Sequence, residues 1–463
     1  MSDPKAYTPF QYQKDGVRLI EKFGGRALLA DEMGLGKTPQ AIWYAKRNPS
    51  PRPILVVCPA LVKSHWVDTI FNLTGDRAAA ISGRKAASTR RAFERLAANK
   101  WIVINYDILR DWVGVLKDIG PELVILDEVH YIQTRGNHRT RATWDVCENA
   151  KRIIAISGTP LTNKPAELWS TLHVLWPDTF DEFAPFAHRY CSPKRMPWGW
   201  VFNGATNIPE LHASLLHHGM VRRLKKDVLQ DLPRKCRRVI PIELSPKAMA
   251  EYRYAEKEFL TWLRRVGGPA KAMRASRAEA VTKLGYMLRL AAKLKHPQTV
   301  ERVEEFRAEN PDKKVVLFTV HRPCIAALNR KYAGECVSIS GATPQDDRKL
   351  LVNRFQKDPR CRVFIGNIQA AGVGITLTAA SDVFFLGYDW RPALHTQAED
   401  RIHRISQTEV AWAWYFVAVG TIEEKMLKVL QTKQNIVRKI LDGADVEQDF
   451  TIHSMLLESM SRG

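Results

Sequence analysis

Two α/β lobes, each a parallel sheet covered by helices, are what this sequence predicts. Short apolar runs of strand length recur in two sets, helical stretches separate the runs, and a long segment of different character divides the sets. The first set is RALLA (26–30), ILVVC (54–58), WIVIN (101–105), LVILD (123–127) and IIAIS (153–157). The second is KVVLF (314–318), VFIGN (363–367), VFFLG (383–387) and AWYFV (413–417). A strand buried on both faces reads as an unbroken apolar run, not as an alternation, and this suits a parallel sheet with helices on either side. The lobes are expected at 1–240 and 241–463, with helical insertions at about 165–220 and 247–297. The first insertion is rich in aromatics and irregular loops. The second is nearly continuous helix former, broken at Gly267-Gly268-Pro269.

A chain of 463 residues with 45% hydrophobic content can bury more than one core. Its 70 Lys plus Arg against 49 Asp plus Glu leave a net charge of +21, and such an excess usually meets a polyanion. Two basic segments stand out: 222–238, RRLKKDVLQDLPRKCRR, at +6, and 247–297 at +8. A basic helix face is often only solvated; two in succession between matched lobes favour a polyanion track. The seven cysteines are scattered, with no C-x-x-C pair, which argues against zinc ribbons, disulfide frameworks and any metal cluster. The first residues lack a signal-peptide core, and no apolar stretch approaches the roughly 20 residues needed to span a bilayer. A soluble protein of the cytoplasm, nucleoid-associated or in a phage host, is expected.

The sharpest local signal is ADEMGLGKT (30–38), after an apolar run and before a helical stretch. Backbone N–H groups of a glycine-containing turn at a helix N-terminus cradle phosphate. Asp31, Glu32, Met33, Gly34, Leu35, Gly36, Lys37 and Thr38 are therefore candidate ATP-binding residues, with Lys37 reaching the β- and γ-phosphates and the Thr38 hydroxyl holding Mg²⁺. Asp31 stands where the usual G-x-x-x-x-G-K-T pattern has its first glycine. LVILDEVH (123–130) then places Asp127 and Glu128 at the end of an apolar strand, on the sheet edge where doubly wound folds bind ligands. Asp127 suits Mg²⁺, which prefers oxygen ligands, and Glu128 suits the attacking water. An acidic pair in that place can also cap a helix; with Lys37 and Thr38 it becomes the second half of one site.

Positive charge at the γ-phosphate is the remaining requirement. Arg401 and Arg404, in QAEDRIHRISQ (397–407), are candidate arginine fingers, three apart and so on one face of a helix. Surface ion pairs with Glu399 and Asp400 are the competing reading. Gln13, in FQYQKDGV (10–17), can hydrogen-bond an adenine edge, although its residue type alone is that of an ordinary surface glutamine.

Taken in order, FQYQKDGV, DEMGLGKT, ILVVCPALVKSHW, IVINYDIL, LDEVH, ISGTPLTN (156–163), KVVLF, AAGVGITLTAAS (370–381) and QAEDRIHRISQ resemble the motifs of the Swi/Snf family of superfamily-two helicase-like ATPases. ELWSTLHVLWPDTF (167–180) and RRLKKDVLQDLPRK (222–235) look like segments particular to that family. The resemblance covers most of the chain. It implies two RecA-like parallel-sheet lobes with helical insertions, and ATP hydrolysis stimulated by double-stranded DNA, with translocation along the duplex. It also implies adenine contact by Gln13, phosphate and metal contact by Gly34, Gly36, Lys37 and Thr38, and fingers from the opposite lobe at Arg401 and Arg404. Ser157, Gly158 and Thr159 resemble the element coupling nucleotide to DNA grip, and Gly372 and Gly374 the second lobe's contribution near the nucleotide. Ser406, Thr376 and Val129 depart from the family pattern beside, not on, the charged residues. The last motif is most like the annealing-helicase branch, in a bare motor of the compact bacterial and phage kind.

The expected function is an ATP-dependent translocase on double-stranded DNA, with single-stranded DNA and DNA-processing proteins as further partners. A strand-separating DNA or RNA helicase is the alternative, its pin hidden in 191–206, CSPKRMPWGWVFNGAT. A non-catalytic scaffold would not need the complete set of charged residues, and a nuclease would need a further carboxylate cluster.

Overall fold

The computed structural model describes residues 8–83, 89–196, 199–265, 277–369, 375–389 and 391–443. The chain divides into two units: one runs to Asp231 and takes back the stretch from Lys433, the other is Leu232–Thr432. The sequence-expected boundary at 240/241 falls inside a strand of the second unit, Lys235–Ile242.

In chain order the strands are β1 (Arg26–Leu29), β2 (Ile54–Cys58), β3 (Ala78–Ala80), β4 (Trp101–Asn105), β5 (Leu123–Asp127), β6 (Arg152–Ile156), β7 (Lys194–Met196), β8 (Gly199–Val201) and β9 (Met220–Val221). There follow β10 (Lys235–Ile242), β11 (Lys314–Thr319), β12 (Cys336–Ile339), β13 (Val363–Asn367), β14 (Ala380–Phe385) and β15 (Ala411–Ala418). The first unit carries a parallel sheet in the order β3-β4-β2-β5-β6-β1-β9. Every residue of β2 and β4 is buried, as the unbroken apolar runs ILVVC and WIVIN require when helices cover both faces. The second unit carries a parallel sheet in the order β10-β15-β14-β11-β13-β12. Two apolar clusters cover it, one around Val316, Phe318 and Phe385, the other around Val315, Leu317 and Phe384, so successive residues of β11 face opposite layers. The expected fold class, two parallel-sheet lobes, is the observed one.

The insertion in the first unit holds short helices and one antiparallel hairpin, β7–β8. That of the second is the helix pair Pro246–Arg265 and Arg277–Glu309, whose facing residues Tyr252, Met287 and Leu290 form a small core of their own. The expected break at Gly267-Gly268-Pro269 lies outside the described residues. Lys295 on the second helix is fully buried against Glu423 at 2.7 Å, and its ammonium also donates to the Phe416 carbonyl at 2.5 Å. Burial pulls the lysine down and pushes the glutamate up, and each partner's charge opposes the other's shift.

The basic segment 222–238 is where the expectation fails. Most of its charge is spent inside the protein. Arg222 pairs with Asp442 at 2.8 Å, Arg223 with Asp31, Lys235 with Asp400 at 2.9 Å and Arg237 with Glu399 at 2.6 Å. Lys225 is buried, leaving Lys226, Arg234 and Arg238 exposed. A run of arginines and lysines reads as a polyanion track in sequence because the carboxylates that neutralise it lie far away along the chain.

Candidate active site

β1 ends at Leu29, and the loop 30–36 turns it into the helix Lys37–Arg47. Gly34 (φ +90°) and Gly36 (φ +70°, ψ +47°) take the left-handed backbone that a side chain disfavours, and Gly36 is the N-cap of the helix. The turn therefore brings the start of a helix to the sheet's carboxyl edge with few side chains in the way. Lys37 folds back over the loop, its ammonium donating to the carbonyls of Asp31 (2.8 Å) and Glu32 (3.1 Å). Burial lowers its pKa, while the charges of Glu128, Asp31 and Asp127 work to raise it.

β5, two strands away in the sheet, delivers the acidic pair. Asp127 is its last residue, and Glu128 sits at φ +48°, ψ +56°, a left-handed conformation unusual for glutamate. That conformation lets the Glu128 N–H reach the Asp127 carboxylate at 3.0 Å while the Glu128 side chain turns to β6. There the Ser157 hydroxyl donates to Glu128 at 3.0 Å, His130 Nδ1 lies 3.2 Å from the same carboxylate oxygen, and the Thr159 N–H donates to Ser157 Oγ at 3.2 Å. Burial raises the Glu128 carboxyl, but His130, Lys37 and Ser157 outweigh it and hold the group low, at about 2. Asp127 moves the other way, to about 7, because burial and the Glu128 charge outweigh its donors. The pair titrates as one unit with Glu128 keeping the negative charge.

Asp127 and Glu128 bring carboxylate oxygens close to Lys37, and Thr38 follows Lys37 at the start of the helix. Such oxygen donors suit Mg²⁺ carried by a nucleotide, which Thr38 and Asp127 would hold and which would supply positive charge to the phosphates. Gly158 is also fixed by packing: a Cβ there would meet Met33 Cγ at 2.4 Å and Lys37 Nζ at 3.2 Å. The Ser157-Gly158-Thr159 turn thus lies directly on the loop 30–36 and touches Glu128.

Several side chains expected at the nucleotide are engaged elsewhere. Asp31 is fully buried and holds Arg223, which also donates to Gln40 (2.7 Å) and to the Tyr12 carbonyl. Glu32 accepts the Lys225 N–H at 2.7 Å, and Met33 packs beneath Gly158. A phosphate contact from these three residues would come from the backbone. Gln13, far from being a surface glutamine, is fully buried; its amide accepts the Phe10 N–H at 3.0 Å and donates to the Leu35 carbonyl at 3.1 Å, tying the first helix to the loop.

Arg401 and Arg404 belong to the second unit, and here the helical expectation is corrected. The helix Pro392–Glu399 stops before them, and 400–406 is a series of turns. Where the helix ends, Glu399 and Asp400 are buried against Arg237 and Lys235, so neither acid forms the surface pair considered from sequence. The two arginines nonetheless converge on one segment. Arg401, only 2% exposed, donates to the Ile375 carbonyl at 3.2 Å, and Arg404 donates to Thr376 Oγ1 at 2.7 Å and to the Asp400 carbonyl at 3.2 Å. Thr376, a departure from the family pattern, is thereby Arg404's acceptor. Gly372 and Gly374 lie outside the described residues.

Sequence reasoning missed three positioning groups. Trp66, fully buried on the helix Lys63–Thr74, donates its indole N–H to the Asp127 carboxylate at 2.7 Å, while the Tyr106 hydroxyl donates to the Asp127 carbonyl at 2.9 Å. Trp66 stood in view at the end of the quoted PALVKSHW, without a role. Arg222 donates to the carbonyls of Ala30 (2.6 Å) and Gly158 (3.2 Å) and pairs with Asp442 near the end of the last helix. Trp66→Phe removes the N–H that orients Asp127 while keeping an aromatic ring in place. We expect kcat for ATP to fall about tenfold or more, the scale set by partners that orient a metal ligand. Steady-state kinetics would show it, with KM for ATP changing much less.

Comparison with known proteins places this geometry. The model of the SNF2-related domain matches residues 12–299, and that of the helicase conserved C-terminal domain matches 295–406. The DNA annealing helicase and endonuclease ZRANB3 of Mus musculus is 32% identical over 446 residues, 93% of this chain and 40% of that protein. The SWI/SNF-related matrix-associated actin-dependent regulator of chromatin subfamily A-like protein 1 of Xenopus laevis is 32% identical over 440 residues, covering 92% of this chain and 43% of that one. This chain therefore spans well under half the length of these relatives. Among solved structures, the Sulfolobus solfataricus SWI2/SNF2 ATPase core in complex with dsDNA is similar at 24% identity and a TM-score of 0.46, covering 96% of this chain and 95% of that one. With a glycine-containing loop, an acidic pair and the Ser157-Gly158-Thr159 turn on one sheet edge, and a family model that matches more than half of the chain, this protein belongs to the SNF2-related family.

Proposed function

We propose that this chain is an ATP-dependent translocase on double-stranded DNA, hydrolysing ATP at the Lys37, Thr38, Asp127 and Glu128 site. The observation that supports it most is the part-buried contact of Ser157 with Glu128, in a turn that packs on Lys37 and Met33. Hydrolysis at Glu128 can then change the hydrogen bonding of a turn outside the nucleotide site. Glu128, held ionised, orients and accepts a proton from the attacking water; Lys37 stabilises the phosphates; Arg404 supplies charge as the transition state forms. The cofactors are ATP and Mg²⁺. The DNA partner is gripped mainly through phosphates, since a motor that moves along a duplex cannot depend on base sequence. All seven cysteines are free thiols, which suits a reducing compartment such as the cytoplasm.

Strand separation is the second reading, and the β7–β8 hairpin is the observation that favours it. A triplex-displacement assay run beside a forked-duplex unwinding assay divides the two. We expect ATP-dependent release of the third strand with little unwinding of a long fork. Efficient unwinding without triplex displacement would replace the translocase with a helicase.

A further inference from the structure

The hairpin β7–β8 contributes none of the residues proposed for the ATP site, yet it is firmly built. Lys194 pairs with Val201, Arg195 with Trp200 and Met196 with Gly199, joined by Pro197 and Trp198, which lie outside the described residues. Its base is anchored. Phe202 meets Phe183 and His188 edge-on at 5.5 and 5.6 Å, the Gly204 N–H donates to the Cys191 carbonyl at 3.1 Å, and the Thr206 N–H donates to the Tyr190 carbonyl at 3.0 Å. Gly204 comes so close to the chain entering the hairpin that a Cβ would meet Ser192 Cβ at 2.4 Å. The Tyr190 hydroxyl and the Arg189 Nε and Nη2 groups donate to Glu210, closing the loop from the other side.

What this base holds up is an aromatic and basic surface. Trp200 is 50% exposed, and the His188 ring meets it edge-on with ring centroids 4.8 Å apart, which leaves much of the indole open to solvent. Arg195, opposite it in the ladder, is exposed on the same face of the hairpin, and Lys194 is exposed beside it. Between Glu182 and Glu210 the chain holds Arg189, Lys194 and Arg195 and no carboxylate. Arg135 lies over the Phe183 ring at 3.7 Å, and Lys164 donates to Asn203 at 2.6 Å, which adds positive charge around the base. An indole face for a base and a guanidinium for the neighbouring phosphate are what an unpaired strand requires, whereas intact duplex offers no exposed base face.

We propose that the Arg195–Trp200 face of the β7–β8 hairpin binds the unpaired strand where duplex DNA branches. The proposal rests on the motor reading above and adds a substrate preference to it: the chain would recognise forks over plain duplex. Trp200 stacks on the first unpaired base and Arg195 holds its phosphate.

The test uses the full chain, with R195A/W200A and W200F beside the wild type. Each is titrated by fluorescence anisotropy with a fork bearing single-stranded arms and with a blunt duplex of equal length. Both substituted side chains are exposed, and matched thermal unfolding midpoints confirm intact folding. The wild type is expected to bind the fork more tightly than the duplex. R195A/W200A should lose about tenfold in fork affinity, on the scale of one stacked base, with duplex affinity and duplex-stimulated ATPase within about twofold of wild type. W200F, which keeps a stacking face, should retain most of the preference. The proposal is overturned by a wild type indifferent to the fork, by unchanged fork affinity in the double variant, or by equal losses on fork and duplex. A changed sedimentation coefficient at unchanged fork affinity would assign the face to a protein contact instead. In each of these cases duplex-stimulated ATPase in the same samples leaves the motor intact; its absence in the wild type removes both readings.

Discussion

Replacing Lys37 with alanine is expected to cut ATP hydrolysis by at least about 10²–10³-fold, the loss seen when a preorganised charge stabiliser leaves a water-poor site. Lys37 is held over the loop by the carbonyls of Asp31 and Glu32, at 2.8 and 3.1 Å. Both contacts are of the kind an ammonium gives up readily for phosphate oxygens, because neutral carbonyls attract it less than charged ones. The same ammonium offsets the negative charge of Glu128, Asp31 and Asp127. Its removal therefore takes away the phosphate partner and leaves the acidic pair less compensated. Phosphate release at saturating duplex measures the effect, and wild-type-like turnover in this variant would move the site elsewhere.

Arg404→Ala is expected to leave ATP binding within a few-fold of wild type and to lower hydrolysis by about 10³-fold or more, the range of an arginine finger. A group whose charge is needed only as the transition state forms acts on kcat and not on ground-state affinity. Arg404 suits this better than Arg401. Arg401 is only 2% exposed and donates to the Ile375 carbonyl, whereas Arg404 is partly exposed and held by a threonine hydroxyl and a backbone carbonyl. Neutral acceptors release a guanidinium to an anion more readily than a buried ion pair would. Nucleotide binding measured by a fluorescent analogue, beside single-turnover hydrolysis, separates the two effects. A large loss of binding at unchanged turnover would contradict the assignment.

The strands that sequence patterning found are those with long apolar runs that are wholly or almost wholly buried. ILVVC and WIVIN coincide with β2 and β4, and KVVLF lies within β11. The strands it missed lack that pattern for identifiable reasons. β3 is three alanines at the sheet edge, β9 has two residues, and β12 is the partly exposed CVSI. β10, KCRRVIPI, was hidden because its Lys235 and Arg237, themselves half-buried, serve as counter-charges for the buried Asp400 and Glu399. β14 begins three residues ahead of its apolar run, because Asp382 is taken in with Ser381 and the Trp414 indole as donors.

The candidate site was legible to the same degree. Glycine, lysine and threonine in a turn, and two acids after a strand, announce themselves because phosphate and metal chemistry allow few substitutes. What supports them does not. Asp31 looks like a phosphate-loop residue and serves Arg223; Gln13 looks like an exposed glutamine and is fully buried; Trp66 looks like core and orients Asp127. Each role depends on a partner between 22 and 192 residues away. No local pattern encodes such a pairing.

The central claim is that duplex DNA drives ATP hydrolysis at this site, and the steady-state ATPase rate measures it directly. It should be read with no nucleic acid, with single-stranded DNA, duplex DNA and RNA, each across a salt series. Strong stimulation by duplex, weaker stimulation by single strands, and a steep loss of the duplex effect with salt are expected, since phosphate contacts displace counterions. A rate indifferent to duplex, or raised by RNA alone, would contradict the account.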